Sequence, residues 1–542
     1  MESLIPVGYW IFFVITIVGT LAGLYLLFQK AGVAGWKALV PVYNLYICTK
    51  LIGKSIWWFV MLLIPVLNVV IWLLVAIDLV KAFGKDKFWP AVAAMMIPYI
   101  YFPMIGFDPK VKYVGIPHDV YKDKKKTAGR EWADAIAFAV VAATMIRTFF
   151  FEAYTIPTTS MESTLKAGDF LFVSKFHYGA RFPITPIAFP FAHHTMPVLK
   201  TKAYSDAVQL PYMRFPGLED VHRNSMVVFN FPEGDTVYLP MTQNSYYSVL
   251  YGEAEKAQYN AIQNKLTLKP FSYYYQRAKN SIDPADLAYR PVDKRDNYIK
   301  RCVGLPGDSL LIVDGTLYIN GAKAFVAEDQ QKSYLVVFKQ GMDTTTAKDI
   351  LLDMDLNPTD MSRFRVQNQT AFVEANMSKE NAVELKQNSS VTQVNLEHFN
   401  RSNAATISLY PHDMTQNAQL NSIDDFGPIW IPKKGATVQI TKENYCYFQR
   451  IIEAYEKNSV TRDKTGNLYI DGKPLTEYTF KQNYYWMMGD NRHRSYDSRY
   501  WGFVPEDHIV GKPVLIWFSW DKNKPFFQRF GSIRWSRMFR FL

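Results

Sequence analysis

Cysteine is nearly missing from this chain: 542 residues contain three, Cys48, Cys302 and Cys446. An odd count at such separations argues against a disulfide framework. No C-x-x-C or H-E-x-x-H spacing occurs, and His193 and His194 are adjacent, a poor arrangement for two ligands on one metal. A glycine-rich phosphate loop is also lacking. The expectation is therefore no metal and no cofactor. The first residues have neither a basic n-region nor an A-x-A site, so no cleaved leader is read there. The formal net charge of +11 comes with no signature of a nucleic-acid module. Its basic residues are dispersed or sit beside apolar runs, where such an excess sets membrane topology and meets anionic lipid. A lipid bilayer, not nucleic acid, is the expected partner.

What the chain has is apolar length. Hydrophobic residues make up 49% and aromatics 15%, concentrated in the first 155 residues. Four apolar runs are read as spans: Tyr9–Phe28, Ile56–Val80, Phe88–Phe107 and Ala133–Phe151. Two phrases, "ALVPVYNLYI" (38–47) and "LLIPVLNVVI" (62–71), echo each other and are read either as an internal repeat or as coincidence. Proline inside each run breaks or bends a helix, so either segment fits a kinked or re-entrant helix as well as a simple span. The basic cluster "KDKKKTAGREW" (122–132) is assigned to the cytoplasm, which brings the last span out on the far side. The basic loop "KAFGKDKF" (81–88) conflicts with four simple crossings.

Beyond about Asn224 the composition turns to that of a β-rich globular protein. Strands are expected in "DFLFVSKF" (169–176), "SMVVFNF" (225–231), "SLLIVDGTLYINGAKAF" (309–325) and "GNLYIDGKPL" (466–475). The near copies "DGTLYINGAKA" and "TGNLYIDGKPL" are read as hairpins about Asn-Gly or Asp-Gly turns. Insertions are placed at 184–222, 240–290 and 326–425; the last is rich in Asn, Gln, Thr and Asp and carries no nameable chemistry. The resulting division is a multi-span module (1–121), a basic loop with the final span (122–153), the first part of a β domain (154–325), the polar insertion (326–425) and the remainder with a basic tail (426–542).

Three segments carry the chemistry. In "YTIPTTSMESTL" (154–165), Ser160 follows a span directly. Alone it reads as a solvated hydroxyl, because a serine nucleophile needs a base and the nine histidines offer no obvious partner. A lysine whose pKa is lowered by desolvation does the same work. In "RDNYIKRCVGLPGDSL" (295–310), Lys300 shares a strand face with Tyr298; alone it reads as a solvated strand lysine. The third segment, "YYWMMGDNRHRSYDSRYWGFVPEDHIVGK" (484–512), packs Gly489, Asp490, Asn491, Arg492, Ser495, Asp497 and Arg499 together, either as a hydrogen-bonded wall or as an ordinary Asp–Arg surface turn.

Together, "IPTTSMESTLKAGDFLFVSK", "YIKRCVGLPGD" and "MMGDNRHRSYDSRYWGFVP" resemble bacterial type I signal peptidase, a membrane-anchored Ser–Lys protease. The resemblance implies Ser160 as nucleophile and Lys300 as general base. It implies an oxyanion hole from the Ser160 N–H and the Thr158 hydroxyl, with Ser495 orienting Lys300. Asp497 and Arg499 match a structural salt bridge, and Asp490 and Arg492 fall in the same wall. Ile156, Pro157, Met161, Leu165, Tyr298 and Ile299 would line shallow pockets for small residues, with an extended substrate pairing along 154–160 and 296–300. The chain departs from the family pattern at "TTS", where relatives commonly show "SGS", and at 222–224, where they commonly show a Gly-Asp turn. The implied fold is an α-helical membrane region followed by a mainly β outer catalytic domain with large α+β or irregular insertions. The implied activity is removal of signal peptides from exported preproteins by a multi-pass protein of the bacterial inner membrane, its catalytic part outside. A self-cleaving repressor-type Ser–Lys protease is opposed by the spans and the lack of a DNA-binding head. A catalytically idle scaffold of the same fold is opposed by the presence of Ser160, Lys300 and Ser495. The tail "GSIRWSRMFRFL" (531–542) fits a membrane-surface segment or a packing strand or helix.

Overall fold

Proline and its preceding residue decide how the apolar N-terminal runs fold. The computed structural model describes residues 4–64, 67–122, 127–162, 164–327, 330–354, 356–412, 420–463, 466–522 and 531–542, with side chains from Val14 onward. The N-terminal helix α1 is Leu4–Lys30 and α2 is Tyr43–Leu51. Between them Pro41 leads into Val42 at φ 67°, a conformation that a β-branched residue adopts only under constraint. The run at 56–80 is two helices, α3 (Ile56–Leu62) and α4 (Leu67–Lys81). Pro65 and Val66 lie outside the described residues. The run at 88–107 is likewise α5 (Phe88–Met96) and α6 (Pro98–Phe107), because Ile97 precedes proline and is driven out of the helical region, to φ −136° and ψ 52°. The run at 56–80 thus fits the broken-helix alternative that its proline allowed, and the run at 88–107 is a helix pair where a single span was expected. Counting only residues whose side chains are described, α7 (Ala128–Phe149) is the one helix long and apolar enough to cross a membrane, and α1 enters that count as the shorter apolar stretch Val14–Lys30. In the basic cluster before it, residues 123–126 lie outside the described set.

The chain forms two compact units, residues 1–152 with 180–215, and residues 153–179 with 216–542. Within the first, α1 and α6 pack closely through glycine. A Cβ on Gly19 would collide with the Tyr99 carbonyl, one on Gly23 with Phe102, and one on Gly106 with Leu26. At the end of this helix pair, the Lys30 ammonium donates to the carbonyls of Ile105 and Asp108, at the C-terminus of α6, and of Val111 beyond it, at 3.2, 2.5 and 2.9 Å.

The second unit is built on an eight-stranded sheet. Its strands are β1 (Phe151–Thr155), β2 (Asp169–Ser174), β3 (Met226–Asn230), β4 (Asn297–Gly304), β5 (Tyr484–Met488), β6 (Val504–Pro505), β7 (Ile509–Ser519) and β8 (Arg540–Phe541). They lie in the order β1-β2-β7-β3-β4-β5-β6, with β8 paired to β7. The tail is therefore a packing strand, and Arg537 fastens it through hydrogen bonds to the buried Asp169 carboxylate at 2.6 and 3.1 Å. At 222–224 the turn before β3 closes with Asn224 at φ 71°, a left-handed conformation that Asn tolerates in place of Gly. The two look-alike segments form hairpins, Asn320-Gly321 at φ 53° and 80° and Asp471-Gly472 at φ 50° and 76°, the positive angles that a type I′ turn requires.

Two of the tracts that interrupt the sheet have cores of their own. Helices Tyr246–Gln263 and Phe271–Ser281 bury Tyr246, Tyr251, Tyr274 and Tyr275 between them. Strands Gln331–Gln340, Met361–Gln367, Thr370–Ser378 and Val391–Leu396, with helices Thr344–Asp353 and Lys379–Gln387, make an antiparallel βαββαβ layer with its own apolar core, including Val336, Phe338, Leu351 and Leu385. Residues 328–329, 355 and 413–419 of the polar tract lie outside the described set.

Candidate active site

Strand periodicity brings Lys300 inward. In β4 alternate side chains face opposite ways, so Tyr298, Lys300 and Cys302 share one face, and β3 pairs Val227 opposite Lys300. The Lys300 side chain is buried, and its Nζ lies 2.7 Å from Ser160 Oγ and 3.1 Å from the Ile299 carbonyl. Burial pulls the ammonium pKa down to about 8, against the opposing pull of Asp497 and Asp490. Ser160 sits half-buried on a turn after β1, closed by the Glu162 N–H to the Thr159 carbonyl at 2.9 Å. Thr158 Oγ1 is 3.4 Å from Ser160 Oγ, and the Ser160 N–H has no hydrogen-bond partner among the described residues.

The wall behind this pair is a set of closed ion pairs. Arg301 grips Asp490 through two hydrogen bonds, at 2.8 and 2.6 Å, and Thr164 adds a third at 2.8 Å. Asp497 and Arg499 form a bidentate pair at 2.9 and 2.8 Å, both wholly buried. The arginine holds the Asp497 carboxyl below its usual range despite burial. Burial lowers the Arg492 guanidinium to about 10, and the Arg492 carbonyl accepts from Arg499 at 2.5 Å. Ser495 is buried in the same wall, but the hydrogen bond to Lys300 expected of it is not formed: its hydroxyl has no partner among the described residues. A Cβ on Gly489 would collide with both Ser495 Oγ and the Ser160 carbonyl, so glycine lets the wall close on the turn.

A cavity of about 260 Å³ opens in front of Ser160 and Lys300. Ile156, Pro157, Met161, Tyr298 and Ile299 line it, together with Tyr154, Arg494 and Tyr496. Leu165 does not. It is wholly buried in a cluster with Leu171, Val173 and Val510. Along the cavity, residues 297–300 of β4 pair with β3 on one side only, since β5 joins at Arg301, Cys302 and Gly304. Backbone donors and acceptors there face the opening.

Four contributors were not singled out by sequence reasoning. Arg301 adjoins Lys300, and Arg494 and Tyr496 fall inside the third segment, so a fuller reading of those segments would have reached them. Asp360 comes from the polar insertion and had no local signal. Its carboxylate accepts from Thr159 Oγ1 at 2.8 Å and from Asn491 Nδ2 at 3.2 Å. Burial raises the Asp360 carboxyl to about 6, and burial followed by the charge of Asp360 raises Glu162 to about 7.

The model of the signal peptidase, peptidase S26, family matches residues 129–376 and 431–520, more than half of the chain. Residues 36–116 match a separate family of unknown function. A signal peptidase I from Buchnera aphidicola of Acyrthosiphon pisum is 40% identical over 89 residues, which is 15% of this chain and 28% of that protein. Another, from Buchnera aphidicola of Schizaphis graminum, is 35% identical over 107 residues, 18% of this chain and 34% of the relative. The signal peptidase I of Haemophilus influenzae is 24% identical over 390 residues, 71% of this chain and 69% of the relative. At the higher identities the chain thus spans about a third of its relatives' length or less.

Proposed function

The chain belongs to the signal peptidase, peptidase S26, family, and from that premise we propose that it is a membrane-bound serine endopeptidase that removes signal peptides from exported preproteins. The single observation that carries this reading is the buried Lys300 amine, 2.7 Å from Ser160 Oγ, with its pKa lowered to about 8. Neutral Lys300 takes the proton of Ser160 Oγ–H as that oxygen bonds to the scissile carbonyl carbon. The resulting oxyanion is held by the Ser160 N–H and the Thr158 hydroxyl, donors whose individual loss typically costs about 10²–10³ in rate. Collapse breaks the C–N bond, and the Lys300 ammonium gives its proton to the departing amine. Water then attacks the acyl ester, losing its proton to Lys300, and Ser160 is released protonated.

The substrate end follows from cavity size. Side chains of Ile156, Met161 and Ile299 leave room for small residues one and three before the cut, an A-x-A preference, and the open edges of β1 and β4 pair with an extended peptide. Ser495, Asp497, Arg499, Asp490 and Arg492 support the base and the turn, and do not contact substrate. The protein is assigned to the bacterial inner membrane with several N-terminal crossings and its catalytic unit outside, which the position of Ser160 eleven residues after α7 favours. The test is cleavage of an exported preprotein by the purified full-length chain in detergent, with sequencing of the new N-terminus. Cleavage after an A-x-A site by wild type, and none by folded Ser160→Ala or Lys300→Ala, supports the assignment. Cleavage by Lys300→Ala at the wild-type rate overturns it.

A further inference from the structure

The oxyanion donor proposed above is a backbone N–H, and a backbone N–H is only as well aimed as its peptide plane. The Thr159–Ser160 peptide is rigid and planar, so fixing the direction of the Thr159 carbonyl also fixes that of the Ser160 N–H at the other end. Asn491 does this. Its Nδ2 donates to the Thr159 carbonyl at 3.4 Å, and its own N–H donates to the Ser160 carbonyl at 3.2 Å. Asn491 is completely buried, and what holds it is the βαββαβ insertion. Asp360 accepts from Asn491 Nδ2 at 3.2 Å, and Asn376 Nδ2 donates to Asn491 Oδ1 at 2.8 Å. Ser333 Oγ in turn donates to Asn376 Oδ1 at 2.6 Å. The same Asp360 oxygen accepts from Thr159 Oγ1 at 2.8 Å, and Arg494, which lines the cavity, donates to the Thr359 carbonyl.

We propose that Asp360 is a positioning residue for the Ser160 nucleophile turn: the inserted layer clamps Thr159 and Asn491 so that the Ser160 N–H faces the developing oxyanion. The proposal rests on the Ser–Lys reading given above. It accounts for the hydroxyl at position 159: without it Asp360 would be one donor short. Asp360 touches neither substrate nor a reacting atom, so it acts through Thr159 and Asn491.

The test measures kcat and KM for preprotein cleavage by the full-length chain carrying Thr159→Val, Thr159→Ser, Asp360→Ala, or Thr159→Val with Asp360→Ala, alongside Ser160→Ala. Thermal unfolding midpoints are recorded for each. Misaiming one donor predicts a fall in kcat of about 10- to 100-fold with KM within about twofold. Thr159→Ser, which keeps the hydroxyl, restores wild-type kcat, and the double variant is no slower than the slower single one, because both remove the same contact. Unchanged kcat in Thr159→Val and Asp360→Ala while Ser160→Ala is dead overturns the clamp and leaves the Ser–Lys reading standing. A rise in KM at constant kcat, or a kcat loss that follows the unfolding midpoint and is not restored by Thr159→Ser, also overturns it. Cleavage by Ser160→Ala removes the Ser–Lys reading itself, and the clamp with it.

Discussion

Ser160 is flanked by two kinds of buried carboxyl. On the strand-derived wall, Asp490 and Asp497 each meet a guanidinium through two hydrogen bonds. On the insertion side, Asp360 and Glu162 are as deeply buried, but their bonded partners are neutral donors. The consequence is opposite protonation behaviour at similar burial. Arg499 keeps the Asp497 carboxyl below its usual range, whereas Asp360 rises to about 6 and Glu162 to about 7. Burial alone disfavours charge, and a geometrically matched cation reverses it. A lysine base surrounded only by unpaired carboxylates would be held protonated. Here the nearest acids are already neutralised by arginines, so burial prevails and Lys300 falls to about 8.

The largest effect is expected at the proposed catalytic pair. Replacing Ser160 or Lys300 by alanine should lower kcat on the order of 10⁶-fold with the fold intact, measured by cleavage alongside circular dichroism. Next comes the paired wall. Arg499→Ala leaves Asp497 charged and alone in the interior, which costs roughly 3–5 kcal/mol, read from denaturant unfolding of the detergent-solubilised protein. A surface-like loss below 1 kcal/mol would show that water reaches Asp497.

The pH dependence of cleavage follows from the same balance of burial and charge. Lys300 has a folded pKa below its ordinary value, so its neutral, proton-accepting form dominates only above about pH 8. kcat/KM should therefore rise about tenfold per unit up to that value and then level off. A profile already flat at pH 6 would mean a different base. The smallest effect lies on the unpaired side. For Glu162 the folded pKa is raised, so the folded state binds the extra proton between about 4.5 and 7 and loses stability as pH increases through that window. Glu162→Gln should raise the unfolding midpoint by a few degrees at pH 8, roughly 2–4 °C per kcal/mol, and change it little at pH 4. No difference between the two pH values would place Glu162 in contact with solvent.

Legibility varied with how local the cause was. The hairpins at Asn320-Gly321 and Asp471-Gly472 were readable because a positive φ is a property of two adjacent residues. The helix breaks at Pro41 and before Pro98 are equally local. Length misled at 56–80 and 88–107, where apolar composition outlasts the helix that carries it, and at Leu165, where motif membership says nothing about which way a side chain points. The tract 326–425 seemed chemically silent. It contributes Asn376, which holds Asn491, and a carboxylate lying 201 residues from the threonine that donates to it.

The residue types are local facts: a serine, a lysine on an alternating strand, and a run of short polar and paired charged residues, each identifiable within a dozen positions. What those groups are chemically is a property of the folded chain. A lysine pKa depends on how much water is removed and which charges remain nearby, and the direction of a peptide N–H depends on what grips the other end of its plane. Both are sums over neighbours from β3, β4, the wall at 489–499 and the inserted layer, and no single stretch of chain contains them.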